Sequence, residues 1–230
     1  MALPVIDVPT FELSIPGIKK ALRFRPFLVK EDKLLTLAVA SEDYKEMFLA
    51  CKQVISNCCM EELNVDSLAM YQIQWTFLKL KGRSVGNLQS FTLQCGGCQD
   101  MINYDMDIDD FEIKGDTEAS TQKIEINETT GLVLKYPSAE VEVSESELTD
   151  IELLINCIEF VYNDEEVTYP KDVESSELVK FVEDLPLDVY QKSSEFFASI
   201  PILTHEINYK CTKCEQENEI VLNGYEHFFG

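Results

Sequence analysis

The sequence predicts an α+β protein with a helical N-terminal part, two Cys-x-x-Cys β-hairpins, and an α+β insertion between the hairpins. Three observations carry this. Apolar residues recur at spacings of three and four between positions 31 and 80, the period of helices with one buried face. Each of two cysteine pairs, Cys95–Cys98 and Cys211–Cys214, lies between runs of strand-forming residues. The stretch separating the pairs mixes short strand and helix patterns. At 230 residues and 45% hydrophobic, the chain can bury the core of one large domain or two small ones. The expected divisions are an arm and helical region over 1–86, the first cysteine hairpin over 87–113, the insertion over 114–202, and the second hairpin with a C-terminal segment over 203–230.

Residues 1–29 are rich in Pro, Phe and β-branched side chains, which suits an extended arm or edge strands around Phe11-Glu12-Leu13 and Leu22-Arg23-Phe24. A first helix is expected from Glu31, with Leu34, Leu35, Leu37 and Ala38 on its apolar stripe. A second runs from Glu42 to Cys58, carrying Met47, Phe48, Cys51, Val54, Ile55 and Cys58. Asp66-Ser67 caps a third, whose apolar residues Leu68, Tyr71, Ile73, Trp75, Phe77, Leu78 and Leu80 cover more than one face before Gly82. After the first cysteine pair, residues 114–121 form a polar break. Lys123–Ile126 and Gly131–Tyr136 follow as strands, then Thr149–Cys157 as a helix. Phe160-Val161-Tyr162 and Glu166–Tyr169 flank an Asn-Asp-Glu turn and read as a hairpin. Helices over Glu174–Glu183 and Pro186–Ser199 close the insertion, the latter with Pro186 in its first turn and Val189, Phe196, Phe197 and Ile200 as an apolar stripe. The acidic run Ser144-Glu145-Ser146-Glu147 is a solvated turn leading into a helix.

Charge excludes several functions. With 42 acidic and 19 basic residues the chain carries a formal charge of −23, which opposes contact with phosphate backbones and anionic membranes. The charge is asymmetric: residues 1–98 hold 11 basic and 10 acidic residues, whereas 99–230 hold 8 and 32. The acidic half either keeps the chain soluble or faces a basic partner. No apolar run approaches the length of a membrane span, and no basic-then-apolar leader opens the chain, so a soluble protein in a reducing compartment is expected.

In that compartment the eight cysteines divide by context. Cys51, Cys58, Cys59 and Cys157 sit among apolar residues and serve as small core side chains. Cys95, Cys98, Cys211 and Cys214 are the candidate metal ligands. Ser90–Gln94 and Met101–Ile108 flank the first pair, and Thr204–Lys210 and Glu219–Leu222 the second, so each unit reads as strand, two-residue turn between cysteines, strand. A redox pair would sit at a helix start within a βαβ unit, a pattern the sequence lacks. Two facing hairpins would instead place four thiolates tetrahedrally, as in a zinc ribbon, around one structural zinc ion. The pairs are 112 residues apart, far more than ordinary ribbons allow, and a folded insertion fills the gap because loop-closure entropy grows only logarithmically. A closed four-sulfur site holds structure and leaves no position for catalysis.

No catalytic set is present. His205 and His227 are the only histidines, and four cysteines already complete a metal site without them. No phosphate-cradling loop or nucleophile elbow occurs, so the expected protein is not an enzyme, with no catalytic or cofactor-binding residues.

Several segments stand out along the chain: Ala2-Leu3-Pro4, Pro9–Leu13, Phe24–Leu35 (FRPFLVKEDKLL), Phe77–Gly86, the first cysteine pair, Gly131–Pro137, Phe196-Phe197, Ile200-Pro201, the second cysteine pair and Phe228-Phe229-Gly230. In this order they together resemble the baseplate hub and hub-assembly proteins of T-even-like contractile-tailed phages. Relatives often carry Cys-Pro-x-Cys-Gly at such knuckles, whereas Gln99 and Glu215 stand here in the places of the glycines. Gly96 and Gly97 would restore freedom on the first side, and Lys213 would offset thiolate charge. The resemblance implies a late viral tail protein, either a hub subunit in the virion or a chaperone working in the host cytoplasm on hub or tape-measure proteins. Those proteins would be its partners, with self-association open, and neither nucleic acid nor membrane. An acidic DNA mimic and a zinc-ribbon regulatory binding module are the alternatives from other classes.

Overall fold

Short strands separated by Pro16 and Gly17 cannot build a large sheet, and the N-terminal segment instead forms a two-stranded ladder. The computed structural model describes residues 6–118, 120–143 and 148–224. The expectations for Ala2-Leu3-Pro4, Ser144–Glu147, His227 and Phe228-Phe229-Gly230 lie outside these residues. The fold is mixed helix and sheet. The chain divides into two compact units, Met1–Val65, Tyr71–Lys114 and Ile202–Gly230 in the first, and Asp66–Met70 with Gly115–Pro201 in the second.

In the first unit, β1 (Phe11–Leu13) and β2 (Leu22–Phe24) pair antiparallel, with Phe11 opposite Phe24 and their rings stacked. Phe24 also bridges to Cys59, so β2 is held from its other side by the chain leaving the second helix. Helix α1 (Val29–Ser41) turns Leu34, Leu35 and Ala38 inward, but Leu37, expected on the same stripe, is exposed. A three-residue step from Leu34 lands Leu37 on the solvent edge once Ala38 and Glu31 define the buried face. Helix α2 (Tyr44–Cys58) starts at Asp43, whose carboxylate accepts the Lys45 and Glu46 N–H groups. It buries Phe48, Cys51, Val54, Ile55 and Cys58.

The third helix, α3 (Met70–Val85), departs from expectation at both ends. Val65–Ser67 form a separate 3-10 turn, and α3 begins only at Met70, not directly after Asp66-Ser67. Gly82 does not stop it either. The helix continues to Gly86, which adopts φ +102° and whose N–H closes on the Gly82 carbonyl at 3.0 Å, the left-handed stop that glycine takes without strain. Tyr71, Ile73, Phe77, Leu78 and Leu80 are buried, giving α3 more than one apolar face.

The hairpins of this unit are β3 (Leu88–Gln94) with β4 (Met101–Asp107), and β10 (Ile202–Lys210) with β11 (Glu217–Asn223). A short strand that the sequence did not reveal, β5 (Glu112–Lys114), pairs antiparallel with Ile202–Thr204 and makes a three-stranded sheet in the order β11-β10-β5. Lys114 and Ile202, the residues at which the chain leaves and re-enters this unit, are direct partners in that ladder.

The second unit contains the four-stranded antiparallel sheet β6 (Thr121–Glu125), β7 (Gly131–Lys135), β8 (Ile158–Tyr162) and β9 (Val167–Thr168), in that order. Helix α4 (Ala139–Val143), too short to leave a periodic trace in the sequence, and α5 (Asp150–Cys157) connect β7 to β8. At α5, Thr149 and Glu152 form a reciprocal capping box. Asn163 accepts the Glu165 and Glu166 N–H groups and turns the β8–β9 hairpin. Helices α6 (Ser175–Glu183) and α7 (Leu187–Ala198) follow; Pro186 sits just outside α7 as its N-cap residue rather than within the first turn. Tyr136 and Phe196 stack at 4.9 Å beside the buried Leu132, Leu134, Leu154 and Val189.

Candidate metal centre

The two cysteine loops are built alike. In each, a strand delivers the first cysteine and the chain turns back after six residues, Cys95–Asp100 in one and Cys211–Gln216 in the other. Both cysteines therefore lie within the loop, rather than flanking a two-residue turn as the sequence suggested. The Cys95 N–H donates to the Asp100 carbonyl at 2.9 Å and the Gln99 N–H to the Cys95 carbonyl at 3.0 Å. The second loop repeats this, from Cys211 N–H to Gln216 at 2.8 Å and from Glu215 N–H to Cys211 at 3.0 Å. Gln99 and Glu215 sit at φ +58° and +59°, the left-handed region in which glycine is the unstrained residue. Gly96 and Gly97 take no positive φ, so they do not supply the freedom expected of them.

The four sulfurs converge. Cys95 Sγ lies 3.6 Å from Cys214 Sγ, and Cys98 Sγ lies 3.7 Å from Cys211 Sγ, each contact crossing between the hairpins. All four lie within 4.8 Å of one another, an arrangement compatible with a shared metal ion. The spacings far exceed the ~2.05 Å of a disulfide, and all eight cysteines are free. Cys95 and Cys211 are buried, while Cys98 and Cys214 face the surface.

The backbone favours thiolate where the loops turn. N–H groups of Cys98 and Gly97 point at Cys95 Sγ and bring its pKa down to about 6. The Asp100 amide favours the Cys98 thiolate as well, but desolvation and hydrogen bonding with the other three sulfurs outweigh it and push Cys98 up to about 12. One sulfur ionises readily and its neighbour resists. Ionising all four sulfurs at these distances would require a cation to offset their mutual repulsion.

Side chains that sequence reasoning missed tie the loops together. Asn218 Oδ1 accepts the Gly96 N–H at 2.9 Å while its Nδ2 lies 3.7 Å from Cys95 Sγ. Tyr209 donates its hydroxyl to the Gln94 carbonyl at 3.0 Å. Lys213 reaches Asp100 at 2.9 Å, and this carboxylate, more than the thiolates, raises its pKa. No periodicity or motif marks Asn218 or Asp100, since their role arises only when two distant loops meet. His205 is elsewhere: its Nδ1 lies 3.1 Å from the Asp110 carbonyl and its ring packs against Phe111.

The remaining cysteines pack in cores. Cys51, Cys58 and Cys157 are fully buried, and Cys59 is half-buried. Burial raises Cys51 and pushes Cys58 up to about 11, so both stay thiols at neutral pH. Beside Cys58 lies a pair that the sequence did not announce. Arg25 holds the fully buried carboxylate of Glu31 through two nitrogens at 3.0 and 3.1 Å. Glu31 also accepts the Leu28 N–H at 2.9 Å, closing the first turn of α1.

Compared with known protein families, residues 8–230 match the family described as T4 bacteriophage base plate protein. No curated protein and no solved structure matches the chain.

Proposed function

Because the chain belongs to the T4 bacteriophage base plate protein family, we propose that it is a non-enzymatic tail protein that builds the hub of the baseplate. The observation that carries this reading is the family match across nearly the whole length, from residue 8 to 230. It would act among other hub or tape-measure proteins, either staying in the virion as a hub subunit or leaving as a chaperone after assembly in the host cytoplasm. A phage lacking the gene should make baseplates without hubs; normal baseplates would overturn the reading. Quantitative mass spectrometry of purified particles beside infected lysate then separates the two forms. Presence at hub-protein levels marks a subunit, and abundance in lysate alone marks a chaperone.

Within this role Cys95, Cys98, Cys211 and Cys214 would hold one structural zinc ion. Four sulfurs about 2.3 Å from a central ion define a tetrahedron with edges of about 3.8 Å, and the cross-hairpin spacings of 3.6 and 3.7 Å support that fit. With all four positions taken by protein, the ion would cross-link two hairpins distant in sequence. Metal analysis should return about one zinc per chain, and cobalt substitution should give the absorption of tetrahedral thiolate coordination. A metal-free preparation with unchanged melting would refute the site.

A further inference from the structure

We infer that the cleft between α5 and the α6–α7 elbow is the docking site for a cationic amphipathic segment of a partner protein. The cleft encloses about 570 Å³ and is lined by Ile151, Val182, Leu185, Leu187 and Tyr190, a volume that takes several apolar side chains at once. Val182 forms a buried floor, and Leu187 stands at the mouth 71% exposed, which is unusual for a leucine in the first turn of a helix with a buried face elsewhere. The rim is acidic: Asp150 and Glu183 line it and Asp184 follows on the same elbow, while Asp188 beyond them is paired with Lys192 at 3.2 Å. No lysine or arginine lines it, and among the described residues neither Asp150 nor Glu183 takes part in an ion pair.

Charge complementarity selects the occupant. Residues 66–70 and 115–201, which make up this unit, hold 22 acidic and 5 basic residues, a net of −17 out of the chain's −23. Such a surface repels acidic chains and anionic surfaces and steers basic ones. A helix laying Leu or Phe side chains into the cleft, with Lys or Arg alongside, would meet both the apolar floor and the acidic rim. This deepens the proposed role in hub building and rests on it only for where the partner resides.

The test uses the full chain and synthetic peptides, so it is independent of any phage partner. An amphipathic helical Lys/Leu peptide carrying a fluorophore is titrated by anisotropy, beside a Glu/Leu peptide of the same pattern and a Lys/Ser peptide without apolar residues. The Lys/Leu peptide should bind, and the other two should bind at least about tenfold more weakly. Leu187→Asp and Glu183→Lys, both exposed positions, should each weaken binding about tenfold or more, while Glu128→Lys in the β6–β7 turn should leave it unchanged. Equal loss with Glu128→Lys would assign the attraction to overall charge and overturn the cleft. Equal binding of the Glu/Leu peptide would overturn the charge complementarity, and equal binding of the Lys/Ser peptide the apolar anchor. A failed peptide series leaves the baseplate role standing, since that is read from particles.

Discussion

At Gln99 and Glu215 the backbone takes a conformation that costs a side-chain-bearing residue about 1–2 kcal/mol relative to glycine. Substitution by glycine relieves this and gives back part of the gain as unfolded-state entropy, so Gln99→Gly should stabilise the protein by about 0.5–1 kcal/mol, a rise of a few degrees in Tm. A lower Tm would contradict this account of the loop. Glu31 behaves oppositely. Its burial alone would raise its pKa, but hydrogen bonds from Arg25 and Leu28 more than offset this and hold it below the usual carboxylate range. A depressed folded value means that its contribution is fully present above the unfolded carboxylate pKa near ~4.3 and is lost as pH falls through the folded value. Glu31→Gln should therefore cost about 3 kcal/mol at pH 7, by leaving the half-buried Arg25 without its carboxylate, and the mutant's stability should fall less steeply than wild type below about pH 4.3. Denaturant melts at a series of pH values check both. Sequence pattern did not reveal Glu31, because a carboxylate between Lys30 and Asp32 reads as surface until Arg25 is brought against it.

Elements with local causes were legible. The capping residue Asp43, the Thr149/Glu152 box and the Asn163 turn each act within a few residues, and the helices and hairpin they bound stand where patterning placed them. Thr149→Ala should accordingly cost about 1 kcal/mol, read from denaturant midpoints, because it leaves an N–H of the first α5 turn without its acceptor. Elements with distant causes were not legible. β5 is three residues long and exists because Ile202–Thr204 present a strand edge to it. α3 runs past Gly82 because intrinsic propensity, worth only about 1 kcal/mol for one glycine, yields to the burial of Leu78 and Leu80 on the same helix. At Gly115, φ is +126° and a Cβ would come within 2.8 Å of the Pro201 backbone, so Gly115→Ala should destabilise the point where the chain turns into the second unit.

Across the molecule, the long separation of the cysteine pairs is closed by backbone pairing of Lys114 with Ile202. If the proposed zinc site is right, replacing 115–201 by Asn-Gly, the shortest hairpin connection, with Leu68→Ser and Met70→Gln to cover newly exposed apolar residues, should leave the metal content of the intact chain unchanged. Metal content near zero in a folded product would show that the second unit is needed to form the site. Sequence by itself determined the α+β class, the four cysteines that meet and the acidity of the segment between them. Those follow from residue type, short-range periodicity and a loop chemistry that repeats in each hairpin. Tertiary structure alone decided that the cysteine loops face each other through Asn218, Tyr209 and Lys213, that Arg25 reaches Glu31, and that an acid-rimmed apolar cleft opens between α5 and α7. These are meetings of residues far apart in the chain, and their free energy comes from desolvation and packing that exist only after the chain has folded.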